Sequence, residues 1–213
     1  MHEKPEPQQP HRRRRKVVTG THNGFALGTE EQGYDANLLD ATHEVLDASL
    51  AAHAKVLAKR YDLHLPKDTP PEVANDIIGD VVREIARNFR RPRKRGVEKT
   101  RPALDALYIM TLEKHESPVP HGHLLLTLNG DLVQSGYYPT QEIKGIVRRK
   151  LGTDTLLHEC DHGEWLIHRG DDAELREVIR ATSYMSKVRS KERNTGRELM
   201  RSQLKKGGQH GGK

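Results

Sequence analysis

"YIMTLEKHESPVPHGHLLLTLNGD", residues 108–131, reads as two extended runs joined by a proline-bearing turn. Alternation along a strand sends successive side chains to opposite faces. Gly122, Leu124, Leu126 and Leu128 therefore point one way, and His121, His123, Leu125 and Thr127 the other. The leucine face belongs under helices. With the turn centred near Pro118, Glu113 falls opposite His123 and His115 opposite His121, all on one face. Two imidazoles and a carboxylate then converge, a nitrogen and oxygen donor set without thiolate that suits Zn²⁺, Mn²⁺ or Mg²⁺. The plainer alternative is a pair of surface histidines at the start of a strand.

Working outward, residues 34–54 carry Leu38, Leu39, Val45, Leu46 and Leu50 at helical spacing. "KVLAKRYDLHLP", 55–66, alternates, with Leu57, Tyr61, Leu63 and Leu65 on one face and Arg60, Asp62 and His64 on the other. A second helix is expected from Thr69, Pro70 and Glu72 through the stripe Val73, Ile77, Val81, Ile85 and Phe89. Beyond the hairpin, "PTQEIKGIVRRKLG" is a helix stopped by Gly152. "TLLHEC" and "EWLIHRG" read as a strand pair about Asp161-His162-Gly163, and residues 171–191 as a closing helix. The order predicts an α+β domain: an RRM/ferredoxin-like βαββαβ antiparallel sheet with its helices on one face, the other face free, and a tyrosine-bearing C-terminal helix.

The chain has 213 residues, enough for one domain with tails. We expect a disordered basic tail over 1–33, a domain over 34–195 and a basic Gly/Lys-rich tail over 196–213. The single cysteine, Cys160, excludes an internal disulfide framework and fits a reducing cytoplasm. No apolar run approaches the length of a membrane span, and the first residues lack the apolar middle of a signal peptide. The formal charge of +6 is gathered into clusters at 11–16, 87–95, 147–150 and between Lys187 and Lys206. Such clusters are solvated tails, address signals or phosphate-binding surfaces.

Two smaller features bear on chemistry. "HECDH", 158–162, is a weaker metal candidate, because His158, Cys160 and His162 crowd one short strand. In "YMSK", 184–187, the i, i+3 spacing puts the Tyr184 phenol beside the Lys187 ammonium at the edge of a buried helical stripe. On the helix alone, the better reading of Tyr184 is an amphipathic boundary residue.

"KRYDLHLP", the hairpin and "YMSK", in that order, make residues 35–195 resemble the HUH (His-hydrophobe-His) endonuclease superfamily. Within it the chain looks most like inovirus-type replication initiation proteins and the YagK/YfjJ-like domain. The resemblance implies that His121 and His123, with Glu113, bind Mg²⁺ or Mn²⁺. It implies that Tyr184 attacks a backbone phosphate of single-stranded DNA at a replication origin, leaving a 5′-phosphotyrosyl link and a free 3′-hydroxyl. Lys187 would hold phosphate or favour the phenolate, while Arg60, Asp62 and His64 would flank the DNA. Partners would include a host helicase and polymerase, with no membrane, and one tyrosine implies one nick per site or action as a pair of subunits. Gly122 departs from the pattern, which expects a bulky apolar residue between the histidines, and is expected to cost about 1 kcal/mol. The rival reading is a non-catalytic DNA-binding regulator of the same fold. An RRM-type RNA binder needs exposed stacking aromatics, and Tyr61 and Tyr108 fall on the leucine side instead.

Overall fold

The computed structural model describes residues 16–95, 99–113, 119, 121–188 and 199–204. The first fifteen residues, the last nine, His115 and the proline turn expected near Pro118 lie outside the described residues. In chain order the elements are β1 (Val17–Val18), β2 (Thr21–His22), β3 (Phe25–Ala26), β4 (Tyr34–Asp35), α1 (Ala36–Ala52), β5 (Lys55–Leu63) and α2 (Pro71–Arg90). They continue with β6 (Arg93–Arg95), β7 (Lys99–Arg101), β8 (Leu107–Glu113), β9 (His121–Asn129), α3 (Tyr137–Leu151), β10 (Leu157–His168), α4 (Asp172–Thr182), a 3₁₀ turn (Ser183–Ser186) and β11 (Leu199–Arg201).

The architecture is α+β, with four helices among the described residues beside a five-stranded antiparallel sheet of order β10-β5-β9-β8-β11. Its leucine face carries the larger core: Leu57, Tyr61 and Leu63 of β5 and Leu124, Leu126 and Leu128 of β9 pack with Ile78, Val82 and Ile85 of α2 and Ile143 and Ile146 of α3. Each of these side chains contributes roughly 1.5–3 kcal/mol by leaving water. Helix α3 stops where expected, on Gly152 in the left-handed region at φ 83°. Helix α2 starts at Pro71 without a side-chain cap, so Thr69 does not play the capping role its position predicts.

The opposite face is not free. Val45, Leu46 and Leu50 of α1 and Val178 and Ile179 of α4 close over Val56, Ala58, Ile109, Leu125 and Ile167, making a second core. The apolar stripe of α1 needs a partner, and the sheet offers one. The cover is incomplete at the end where β9 begins and β5 ends, and His121 there keeps partial exposure.

Three further corrections follow. Residues 16–33 are no tail. The β1–β4 pair and the β2–β3 hairpin form here, and Leu27 and Tyr34 are buried together with Leu39 of α1. Gly33 turns this strap at φ 77°, with Val17 and the Val18 carbonyl packed so close that a Cβ has no room. The stretch expected as a strand pair is one strand, β10, which follows β5 from Leu157↔Leu63 to His168↔Lys55 with an irregularity between Glu159 and Glu164. His162 takes a positive φ of 52° there, so the loop-like Asp-His-Gly signal marks a bulge instead of a turn. The expected C-terminal tail supplies β11, whose Ser202 neighbour accepts from the Tyr108 amide at 3.0 Å.

Candidate metal and tyrosine site

Three strands build the site. Glu113 ends β8, His121 and His123 begin β9, and Asp62 lies near the end of β5, directly opposite His123. The hairpin register differs from expectation by two residues: Glu113 pairs with His121, and Thr111 with His123. Because the side-chain period is two, this shift leaves Glu113, His121 and His123 on the face assigned to them.

Glu113 and His123 are buried, and Glu113 Oε2 lies 2.5 Å from His123 Nε2 and 3.8 Å from His121 Nε2. On its other side His123 meets Asp62, with Nδ1 and Oδ1 2.6 Å apart. The two histidine rings are perpendicular at 5.2 Å, and His64 stacks on His121 at the same separation. Burial alone would raise the Asp62 carboxyl. The hydrogen bond with His123, the charge of that ring and the Arg60 guanidinium overcome it and hold Asp62 well below the usual carboxylate range. Burial, helped by neighbouring His123, pushes the His121 pKa down, against the pull of Glu113. Cys160 shares a hydrogen bond with Asp62, and burial first, with that carboxylate, raises its thiol to about 11.

Glu113, His121 and His123 form the one group among the described residues whose donor atoms, all within 4.8 Å of one another, can hold a metal ion. The chemistry fits. The donors are nitrogen and oxygen, and the far nitrogen of His123 is held by a carboxylate, the arrangement that fixes a ligating imidazole's orientation and raises its basicity. His158, Cys160 and His162 form no such group, because the bulge breaks their alternation.

Tyr184 is where tertiary structure matters most. Helix α4 ends at Thr182, so Tyr184 sits on the 3₁₀ turn after the helix and not within it. Its ring, 43% exposed, stands edge-on to His123 with centroids 5.6 Å apart. Arg60 lies 4.8 Å and the Lys187 ammonium 3.2 Å from the ring centroid, so two cations flank the phenol. Lys187 is itself buried, and its backbone bridges to Tyr34 of the strap. The turn is pinned from several sides. Met185 is fully buried, Thr111 Oγ1 donates to the Met185 carbonyl at 2.9 Å, the Gly28 amide donates to Ser183 Oγ at 3.1 Å, and the Val188 amide donates to the Gly33 carbonyl at 3.1 Å.

The residues expected to flank DNA divide in role. Arg60 shares Asp62 at 3.3 Å, and its buried Nε has no partner among the described residues. Asp62 is occupied by His123, and His64 packs on His121. Sequence reasoning missed Thr111, the contact of Cys160 with Asp62 and the Gly28–Tyr34 strap. Only Thr111 carried a signal, a lone hydroxyl among apolar neighbours on the histidine face. Tyr61 and Tyr108 are buried under α2 and α3, which removes the aromatic platform an RRM-type RNA binder needs. Gly122 is explained by Met110, whose sulfur would lie 2.5 Å from a Cβ at that position: the thioether fills the space a bulky residue would take.

The family model for the YagK/YfjJ C-terminal domain matches residues 18–149, more than half of the chain, and the protein belongs to that family. The match takes in the strap, Arg60, Asp62, His64, Glu113, His121 and His123, and ends before β10 and Tyr184. No curated protein and no solved structure matches the chain. No helix among the described residues is long and apolar enough to cross a membrane.

Proposed function

We propose that the protein is a metal-dependent, single-tyrosine DNA endonuclease and strand transferase of the HUH type, acting as a rolling-circle replication initiator of the inovirus kind. The observation that carries the reading is the meeting of Tyr184 with His123, at 5.6 Å between rings and with Arg60 and Lys187 against the phenol. A boundary tyrosine has no need of two cations or of a neighbouring ligand cluster. The strand order β10-β5-β9-β8, with α2 after β5 and α3 after β9, supports the same reading, in which we take this unit as a ferredoxin-like βαββαβ.

In this reading Glu113, His121 and His123 would hold a Mg²⁺ or Mn²⁺, which when bound would supply Lewis-acid polarisation to the scissile phosphate. Asp62 keeps the His123 ring aimed through Nδ1. Lys187 and Arg60, whose cationic groups lie against the Tyr184 ring, offset the negative charge that develops as its oxygen attacks the phosphate. That oxygen bonds to phosphorus as the bond to the 3′-oxygen breaks. The phenol loses its proton and the 3′-oxygen gains one, so the step is a transesterification, and its reversal rejoins the strand. Single-stranded DNA at an origin is the substrate, with a helicase and a polymerase acting on the product.

The test is incubation with labelled single-stranded oligonucleotides and Mn²⁺, followed by denaturing gels. A protein-linked strand that disappears with chelator and in Tyr184→Phe is expected. Adducts that survive either condition overturn the mechanism, and binding without any adduct leaves a non-catalytic DNA-binding regulator.

A further inference from the structure

A cavity of about 440 Å³ opens at the other end of the sheet, on the α2/α3 face. The C-terminal end of α2 contributes Phe89, the connection after β9 contributes Leu132 and Val133, and α3 contributes Tyr138. Leu132 is half exposed, so the apolar lining is open to a ligand. The Tyr138 ring lies edge-to-face with Phe89 at 6.5 Å and carries the Arg101 guanidinium 4.1 Å from its centroid.

The chain leaves this rim at Arg91 and returns to it at Arg101, and between them β6 and β7 pair as a two-stranded ribbon, Arg93↔Arg101 to Arg95↔Lys99. Residues 91–101 hold six cationic side chains and one acidic one. A polyanion is drawn to such a ribbon, and a planar ring suits an apolar pocket edged by an aromatic and a guanidinium. A duplex keeps its bases stacked and has no ring to offer. Since β9 runs from His121 to Asn129, roughly 26 Å at 3.3 Å per residue, the cavity stands well apart from Tyr184.

We propose that this cavity takes an unpaired base of single-stranded DNA while Arg91 and Arg101 hold the flanking phosphates, making a second contact with the strand that Tyr184 acts on. The inference rests on the DNA reading above. The site anchors substrate remote from the cut.

The test measures binding of a labelled 40-nucleotide single strand of mixed sequence, and of the matching duplex, across a salt series. Arg91→Glu/Arg101→Glu should weaken single-strand binding at least tenfold and flatten the salt slope by about 1.4, the loss of two phosphate contacts. Arg101→Lys, which keeps the charge but not the planar stack, should weaken the single strand threefold or more and leave the duplex unchanged. Both variants should bind Mn²⁺, followed by calorimetry, as tightly as the wild type does. Unaltered 40-nucleotide affinity in the variants, or a duplex bound as tightly as the single strand, overturns the second site and leaves the nicking reading standing. A wild-type protein that binds neither DNA overturns both.

Discussion

Thr111 holds the carbonyl of Met185 at 2.9 Å while lying directly across the hairpin from His123. One residue therefore joins the rung that carries a metal-ligand candidate to the turn that carries Tyr184.

Thr111→Val removes that donor and leaves a buried carbonyl unpaired, a loss of about 1–3 kcal/mol in stability. Adduct formation should fall by at least about tenfold, because small misplacements of a nucleophile are costly, while Mn²⁺ affinity measured by calorimetry stays constant. Thr111→Ser should restore the rate. A rate unchanged in Thr111→Val would remove the turn's anchoring from the mechanism.

Asp62→Ala frees the far nitrogen of His123. Mn²⁺ affinity should drop by about 10–100-fold, the usual effect of losing a ligand's orienting carboxylate, and Glu113→Gln or His123→Ala should lower it further. Thermal unfolding gives an independent reading: Mn²⁺ at a hundred times its Kd stabilises the wild type by about 2.7 kcal/mol. Equal shifts in wild type and His123→Ala would place the ion elsewhere.

Gly122→Val presses on Met110, already within 2.5 Å of where a Cβ would stand, and should destabilise by about 1–3 kcal/mol in urea melts. Adding Met110→Ala should recover part of that loss through a coupling between the two sites. An additive double mutant would refute the packing account. The glycine that looked like a defect in the sequence is the complement of a thioether one strand away.

Acid stability should depend on Lys59, which is buried and bonded to Glu159 at 3.0 Å and Glu164 at 2.9 Å. Burial would raise both carboxyls, yet hydrogen bonds from Lys144 and Lys59 to Glu159, and from the Gly136 amide and Lys59 to Glu164, hold them below the ordinary 4.5. A lowered folded pKa contributes stability that is complete above the unfolded value and is lost as pH falls through the folded one. Glu159→Gln/Glu164→Gln should thus be less stable than wild type at pH 7, with the difference shrinking below about pH 4.5. A difference that grows in acid would contradict this.

The hairpin and α2 were legible because alternation and the 3.6-residue stripe are local properties of the chain, and a two-residue error in register changes no face. The strap, β11 and the bulge in β10 were not legible. Each depends on a surface that forms only after the sheet does: Leu27 has meaning beside Leu39, and Leu199 beside Thr111. The strap and β11 lie in terminal stretches, 1–33 and 196–213, whose polar, basic and Pro- or Gly-rich composition as a whole reads as disorder when nothing is present to pack against, and the bulge reads as a turn.

The sequence by itself determined which side chains share a face of the sheet: the histidines with Leu125, and Glu113 with them. Periodicity is enough for that. Only the tertiary structure decided that α1 and α4 cover that face, that α4 stops at Thr182, and that a 3₁₀ turn swings Tyr184 against His123. Contacts between segments so distant in the chain are set by how apolar stripes from several elements fill one volume, and no local pattern encodes that sum.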